Sequence, residues 1–474
     1  MKKSNKIHIS KINILSIIDI ISLFIFTYLL FRINILPSKY LLLVTTIILI
    51  INILSILFIN LKNKILKIIG VIIIILAILF SITGSYYLYA GNKFLNDSFN
   101  NIKNETSTYY IITNKTSKYN KKSDITGTIN YYKNSVNINK ALKQLKNDFS
   151  IKTNAYEDVT TMFNDIVNNN IDFILIDSAS YNIVFDLNKN INKSDFKIVH
   201  KFDIKEEIIQ TDNQVKDKFN IYIGGTDFAG LMDYNSIITI NTKTYEILMT
   251  SIPRDYYMDI YGMDGKKDTL SHMNAYGPDV NMKSLEKFFD IKIDYSIKIN
   301  TESLVGLVDK IGGITYCSDQ SFTTTHALVL NTYDDRGKQK LHIKKGCQEL
   351  NGIQTLTVAR ERNSFIGRDR MRQKNCQKII IGIFDKLKST NSFINFNSIL
   401  NSLSNLYTTD IPREVITNMV KKTVDGADWK FITQSVDGGD GTEFITIINE
   451  MGYAMIPNTN DVINARNKIY EVLK

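Results

Sequence analysis

Only three cysteines occur among the 474 residues, Cys317, Cys347 and Cys376, and their spacing matches no zinc-ligand pattern. That excludes a zinc module and allows one disulfide at most. Cys317 and Cys347 flank a polar, insertion-like stretch, so a bridge is predicted between them with Cys376 left free. Also missing are an aromatic RNA-binding signature and a helix-turn-helix pattern, so the formal net charge of +10 does not indicate nucleic acid. Much of the basic excess flanks apolar runs or is spread over surface lysines. An anionic polymer or a lipid phosphate is the expected partner. No small-residue cleavage site follows the first apolar run, and Ile14 to Phe31 is too long for a secretory signal core. The run is expected to remain as an anchor.

Three apolar runs are present, Ile12 to Ile33, Tyr40 to Leu61 and Ile65 to Tyr89, each near the roughly 20 residues that cross a bilayer core. Lys2, Lys3, Lys6 and Lys11 precede the first span, and Lys62, Lys64 and Lys67 lie between the second and third. Both groups are expected to be cytoplasmic, which puts everything after about Ala90 on the far side of the membrane. Asp19, inside the first span, is expected to snorkel or to pair with a neighbouring helix.

The remainder divides in two. Between Asn92 and Asp217, strand-like runs such as TYYIIT, TGTINYY, IDFILID and FKIVHKFDI alternate with amphipathic helical ones, which predicts a small α/β domain. Asp172 and Asp177 flank one of its strands and read as edge solvation. A second domain opens at FNIYIGG, which delivers Asp227 and then Asp233; the strand EILMTSI runs into Pro253, Arg254 and Asp255. Strand ends are where α/β sheets place ligands. Helices are predicted at Ser284 to Phe289, at Thr301 to Ile311 with Gly312 and Gly313 as its stop, and from about Asp369 to Leu387.

Charge is most concentrated from Ala359 to Gln377, nineteen residues with five arginines, one lysine and two acids. Guanidinium forks are planar, permanently charged and bidentate, which suits a diphosphate. Arg360 and Arg362 sit two apart in what reads as a strand and so share a face. Arg372 lies one turn into the following helix, whose N-terminus itself attracts anions. Asp369, Arg372 and Cys376 fall on one face of that helix, and Arg368 and Arg370 are expected to face solvent.

In order and spacing, IGGTD, DYNSIITIN, MTSIPRDYYMDI, GKKDTLSHMNAYG, LVDKIGGITY, KKGCQELNGIQTLTVARER and RDRMRQKNCQ resemble the LytR-CpsA-Psr family from about Phe219 onward. Three spans followed by an accessory domain resemble its capsule-type members. The resemblance implies an α/β fold with a central mixed sheet, in the arrangement 1–91 membrane anchor, 92–216 accessory domain and 217–474 catalytic domain. It implies a membrane-anchored phosphotransferase of Gram-positive envelopes, moving teichoic acid, capsule or another glycopolymer from a polyprenyl diphosphate carrier to peptidoglycan. The family's metal-site acids correspond to Asp227 and Asp233, which implies magnesium or manganese. Its diphosphate-binding arginines correspond to Arg254, Arg360, Arg362 and Arg372, and its recurrent glutamine to Gln377. An arginine common in the family is Leu231 here, so one phosphate contact is either missing or supplied by Lys266 or Lys267, and Cys376 replaces a glutamine.

The acceptor's proton needs a base, for which Asp369 is the first candidate, Asp255 the second and His272 a third, although a loop histidine beside Asn274 reads first as a hydrogen-bonding residue. The apolar sides of the Val305 to Ile311 and Ile379 to Phe384 helices read as core or as a groove for the lipid chain. A non-catalytic scaffold that binds lipid-linked polymer and a lipid diphosphate phosphatase are the alternatives. The spacing of motifs does not fix the oligomeric state.

Overall fold

In lipid a backbone can satisfy its polar groups only internally, so long uncharged Ile/Leu runs become helices. The computed structural model, which describes residues 11–99, 104–188, 191–207, 215–227, 230–330, 338–388 and 407–474, has three such helices, Lys11–Ile33, Ser38–Asn60 and Lys64–Phe99. All three are long and apolar enough to cross a membrane. Lys2, Lys3 and Lys6 lie outside the described residues. Asp19 does not snorkel: it is 0% exposed, and Asn52 on the second helix is buried as well.

Helix Arg413–Val424 belongs to the same unit as these helices. Arg413 donates to Asn92 at 2.8 Å, to Asn96 at 2.5 Å and to the carbonyl of Ile33 at 3.4 Å. Lys421 donates to Asn34 at 2.8 Å, and Lys39 pairs with Asp425 at 2.5 Å.

The second unit holds two sheets. The first runs in the order Ile151–Tyr156, Gly127–Tyr132, Phe173–Asp177, Asn104–Asn114, Phe196–Glu207. One face packs on Val159, Phe163 and Tyr181, the other on Ala141, Leu142 and Leu145, so helices cover both sides of a sheet whose central strand Phe173–Asp177 is buried throughout. Asp177 is not solvated at an edge. It is 1% exposed because it caps helix Ser178–Leu187, accepting from the Ser180 N–H at 2.9 Å.

The second sheet is mixed, in the order Tyr407–Thr409, Tyr295–Asn300, Lys218–Thr226, Met232–Asn241, Glu246–Ile252, Lys430–Ser435. Strands Lys218–Thr226, Met232–Asn241 and Glu246–Ile252 form an antiparallel meander, flanked on both sides by parallel strands. Helices Val280–Phe289 and Thr459–Leu473 help to build the main core around Tyr222, Leu248, Phe289 and Ile469. Helix Thr301–Lys310 ends at Ile311, and Gly312 and Gly313 follow with φ of +80° and +84°. Ile379, Val308 and Ile311 are buried and Phe384 meets Phe431 edge-on at 5.0 Å, so these apolar sides act as core. A disulfide joins Cys317 to Cys347, which face each other across strands Ile314–Ser318 and Gly346–Leu350, and Cys376 is free.

The two sheets share a small core, in which Ile183 from the first domain packs with Leu231, Ala275, Ile445 and Ile448. Thr160 adds a hydrogen bond of 2.7 Å to the Ile448 carbonyl.

Candidate active site

Where strand Met232–Asn241 begins and strand Glu246–Ile252 ends, the chain brings Asp233 and Arg254 together. Arg254 Nη1 donates to Asp233 Oδ1 at 2.5 Å, and its Nε lies 3.4 Å from Asp255. From the first turn of helix Arg368–Lys388, Arg372 reaches Asp233 Oδ2 at 3.5 Å, donates to the Asp233 carbonyl at 3.1 Å, and pairs with Asp369 one turn back. Burial opposes the Asp233 carboxylate, yet Arg254, Arg372 and Arg362 outweigh that and hold its pKa below the usual value. Burial likewise opposes the Arg254 charge, and Asp233, Asp255 and Asp369 overcome it.

Arg362 differs from its neighbours. Burial comes first, and then Arg254 and Arg372 pull its pKa down, while no ion pair to a carboxylate is formed among the described residues. Its guanidinium stays charged, since arginine pKa values lie above about 12. A half-buried cation held beside two others creates a demand for an anion.

These side chains open onto a cavity of about 650 Å³ lined by Arg254, Asp255, Arg362, Arg368, Asp369 and His272. Leu231 stands in its wall where an arginine was expected to be missing. Hairpin Gly438–Ile445 and Glu450–Pro457 closes another side with Glu450, Met451 and Tyr453, a contribution the sequence reading missed although its paired apolar and glycine residues signal a hairpin. His272 is hydrogen-bonded, its Nδ1 lying 2.7 Å from the buried Asp268 and 3.0 Å from Thr269. Both oxygens of Asp369 are buried without a hydrogen bond, apart from the ion pair with Arg372.

Four expectations change. Arg360 and Arg362 do not share a strand face: Gly352–Arg360 is a helix, Arg360 is its last residue, and Arg362 follows in the loop beyond the Glu361 cap. Arg362 lines the cavity and Arg360 is not among its lining residues. Lys267 faces Asp259 at 3.9 Å on an outer two-stranded ribbon and does not replace the missing arginine in the cavity wall. Gln377 is buried and its amide donates to the carbonyls of Met249 and Gln434, at 3.3 and 2.9 Å, which pins the helix to the sheet. Arg370 is exposed as expected, but its Nε is held by both oxygens of Asp437 at 2.6 Å, while exposed Arg368 borders the cavity. Cys376 is partly buried, and desolvation pushes its thiol up to about 12.

Asp227 stands at the loop that leads into the Asp233 strand. Its Oδ1 accepts from the Leu231 N–H at 2.9 Å, and among the described residues no three His, Cys, Asp or Glu side chains come together. The donor chemistry still suits a magnesium-class ion, which uses one or two carboxylates and takes its other ligands from phosphate and water.

A mixed α/β sheet with three guanidinium groups gathered around one carboxylate at its strand ends defines an anion-binding domain, and here it accompanies three apolar helices. The sequence model of the LytR-CpsA-Psr family matches residues 181–460, more than half of the chain, and the protein belongs to that family. A polyisoprenyl-teichoic acid–peptidoglycan teichoic acid transferase TagU of Bacillus licheniformis is 31% identical over 233 residues, which cover 48% of this chain and 68% of that one. The TagU of Bacillus cereus is 30% identical over 200 residues, covering 42% of this chain and 61% of its own length, less than two thirds. The crystal structure of B. subtilis TagU aligns at 27% identity and a TM-score of 0.42, covering 55% of this chain and 98% of that one.

Proposed function

We propose that the protein is a membrane-anchored phosphotransferase that moves a glycopolymer from a polyprenyl diphosphate carrier to peptidoglycan, with its sheets on the outer side of the membrane. The observation that carries this is Arg362, a half-buried cation with no carboxylate ion pair among the described residues, which lines a cavity of about 650 Å³ together with Arg254 and is pressed by the buried Arg372. A diphosphate supplies the missing negative charge. The teichoic acid transferases to which the chain is similar support a teichoic acid-like polymer as the cargo.

Phosphoryl transfer needs positioning and charge neutralisation more than covalent help. Arg362 and Arg254 hold the oxygens of the diphosphate, and Arg372 is kept in place by Asp233 and Asp369. The acceptor is a sugar hydroxyl of peptidoglycan. It attacks the phosphorus nearer the polymer, the bond to the bridging oxygen breaks, and polyprenyl phosphate leaves. Asp369 takes the proton from the acceptor hydroxyl, and Asp255, paired to Arg254 Nε, orients that arginine. When bound by Asp227 and Asp233, a magnesium-class ion would add positive charge opposite the phosphate oxygens.

The test incubates the purified chain with a lipid diphosphate-linked oligosaccharide, with and without peptidoglycan oligomers. Product joined to peptidoglycan supports transfer. Release of lipid phosphate at an equal rate without acceptor identifies a phosphatase instead, and binding without turnover identifies a scaffold.

A further inference from the structure

A second cavity, of about 330 Å³, lies where the first domain meets the ends of the mixed sheet. Ser107, Asp177 and Ser178 line it from one side, and Asn274, Asn300 and Thr408 from the other. Its size is at the lower end of small-ligand sites, about 300–1,000 Å³, and domain junctions are where such sites commonly form.

The lining is chemically selective. Lys298 is the one cation among the lining residues, and it is already committed, donating to the Pro278 carbonyl and lying 3.7 Å from Asp279. No cation without a carboxylate stands among the lining residues to favour a phosphate. The rest of the polar lining is uncharged except for Asp177, which is buried under the helix it caps: Ser107, Ser178, Asn274, Asn300 and Thr408 offer hydroxyl and amide groups. Amide and hydroxyl oxygens along a cavity wall suit a ligand rich in donors. Hydroxyls and secondary amides on a neutral sugar provide such donors, while the Ser and Thr hydroxyls serve as both donors and acceptors.

The cavity also borders the chemistry. Leu231 lines the arginine cavity, and its neighbours Gly230 and Met232 line this one, so a single loop separates the two. We propose that this cavity is a glycan subsite that takes an uncharged sugar unit of the acceptor strand, bound next to the loop that leads to Asp233. The identification of the sugar with the acceptor rests on the transfer reading; the existence of the site does not.

The test is isothermal titration of the full chain in detergent micelles with chitotetraose, a neutral stand-in for the peptidoglycan backbone, and separately with a glycerol-phosphate oligomer. Chitotetraose is expected to bind, and two variants that fill the cavity from opposite domains, Ser178→Tyr and Thr408→Tyr, are each expected to weaken it by on the order of tenfold. Either variant suffices if the other loses its thermal transition. Absence of chitotetraose binding at millimolar concentration, unchanged affinity in a folded variant, or preference for the glycerol-phosphate oligomer overturns the proposal. The titration contains neither lipid carrier nor turnover, so it can succeed or fail independently of the transfer assay.

Discussion

Arg362 keeps a positive charge half-buried against Arg254 and Arg372, an arrangement that Asp233 and Asp255 offset only in part and a bound anion would relieve. Arg362→Ala is therefore expected to lose about 3 kcal/mol of transition-state stabilisation, on the order of a hundredfold in transfer rate, with little loss of thermal stability because like-charge repulsion goes with it. Arg370→Ala removes an exposed pair with Asp437 and is expected to leave the rate within about twofold, as surface pairs contribute ~0–1 kcal/mol. A rate assay on both variants separates the two roles. Asp233 gives a pH signature. Its folded pKa lies below the ordinary value, so its contribution to stability is present above the usual carboxylate range, about 4, and is lost as pH falls through the lower folded value. Melting temperature against pH is expected to decline at the acid end in the parent and to flatten in Asp233→Asn. Asp233 and Arg254 were legible at strand ends and Asp369 and Arg372 at a helix N-terminus, whereas Arg362 was read on a strand and stands in a loop, and only the family resemblance joined these residues into one site. Lys267 and Gln377 were misplaced because spacing does not reveal which way a side chain leaves its element, and Gln377 spends its amide on two carbonyls.

At the level of the element, GIQTLTVAR reads as a strand through its Thr and Val content, but Asn351 and Gln354 close a capping box that starts a helix. That signal is present in the sequence as Asn351 followed three residues later by Gln354. Packing explains the outcome: a Cβ on Gly352 would lie 2.3 Å from the Val305 carbonyl, so this helix start can be seated against helix Thr301–Lys310 only through glycine. The disulfide closes a loop of 30 residues, and replacing Cys317 and Cys347 by serine is expected to cost about 3–4 kcal/mol, read from chemical denaturation. At Asp177 the sign is the reverse of that at Asp233. Burial raises its pKa, so ionisation opposes folding as pH rises above the unfolded value. Asp177→Asn, which keeps a good N-cap, is expected to raise the melting temperature at neutral pH and to match the parent in acid. The sequence could not show this burial, because strand Asn104–Asn114, which pairs beside it, lies some sixty residues earlier.

For the whole molecule, three long apolar helices and the mixed α/β character of the rest were legible in hydropathy and alternation, whereas the return of residues 412–428 to the membrane-helix unit was not. Its determinants are Asn34, Asn92 and Asn96, ordinary polar residues more than three hundred positions from Arg413 and Lys421. That return bears on how the protein can be shed from a cell. A protease that nicks the chain between Phe99 and Asn104 breaks the direct peptide link to the anchor, but helix Arg413–Val424 remains clasped by the anchor's asparagines. With a cleavage sequence inserted there, the cut C-terminal fragment is expected to sediment with membranes, and Arg413→Ala combined with Lys421→Ala is expected to let it escape into the medium. Membrane retention is then built into a helix far along the chain from the apolar segments, and release requires an unclasping step as well as a cut.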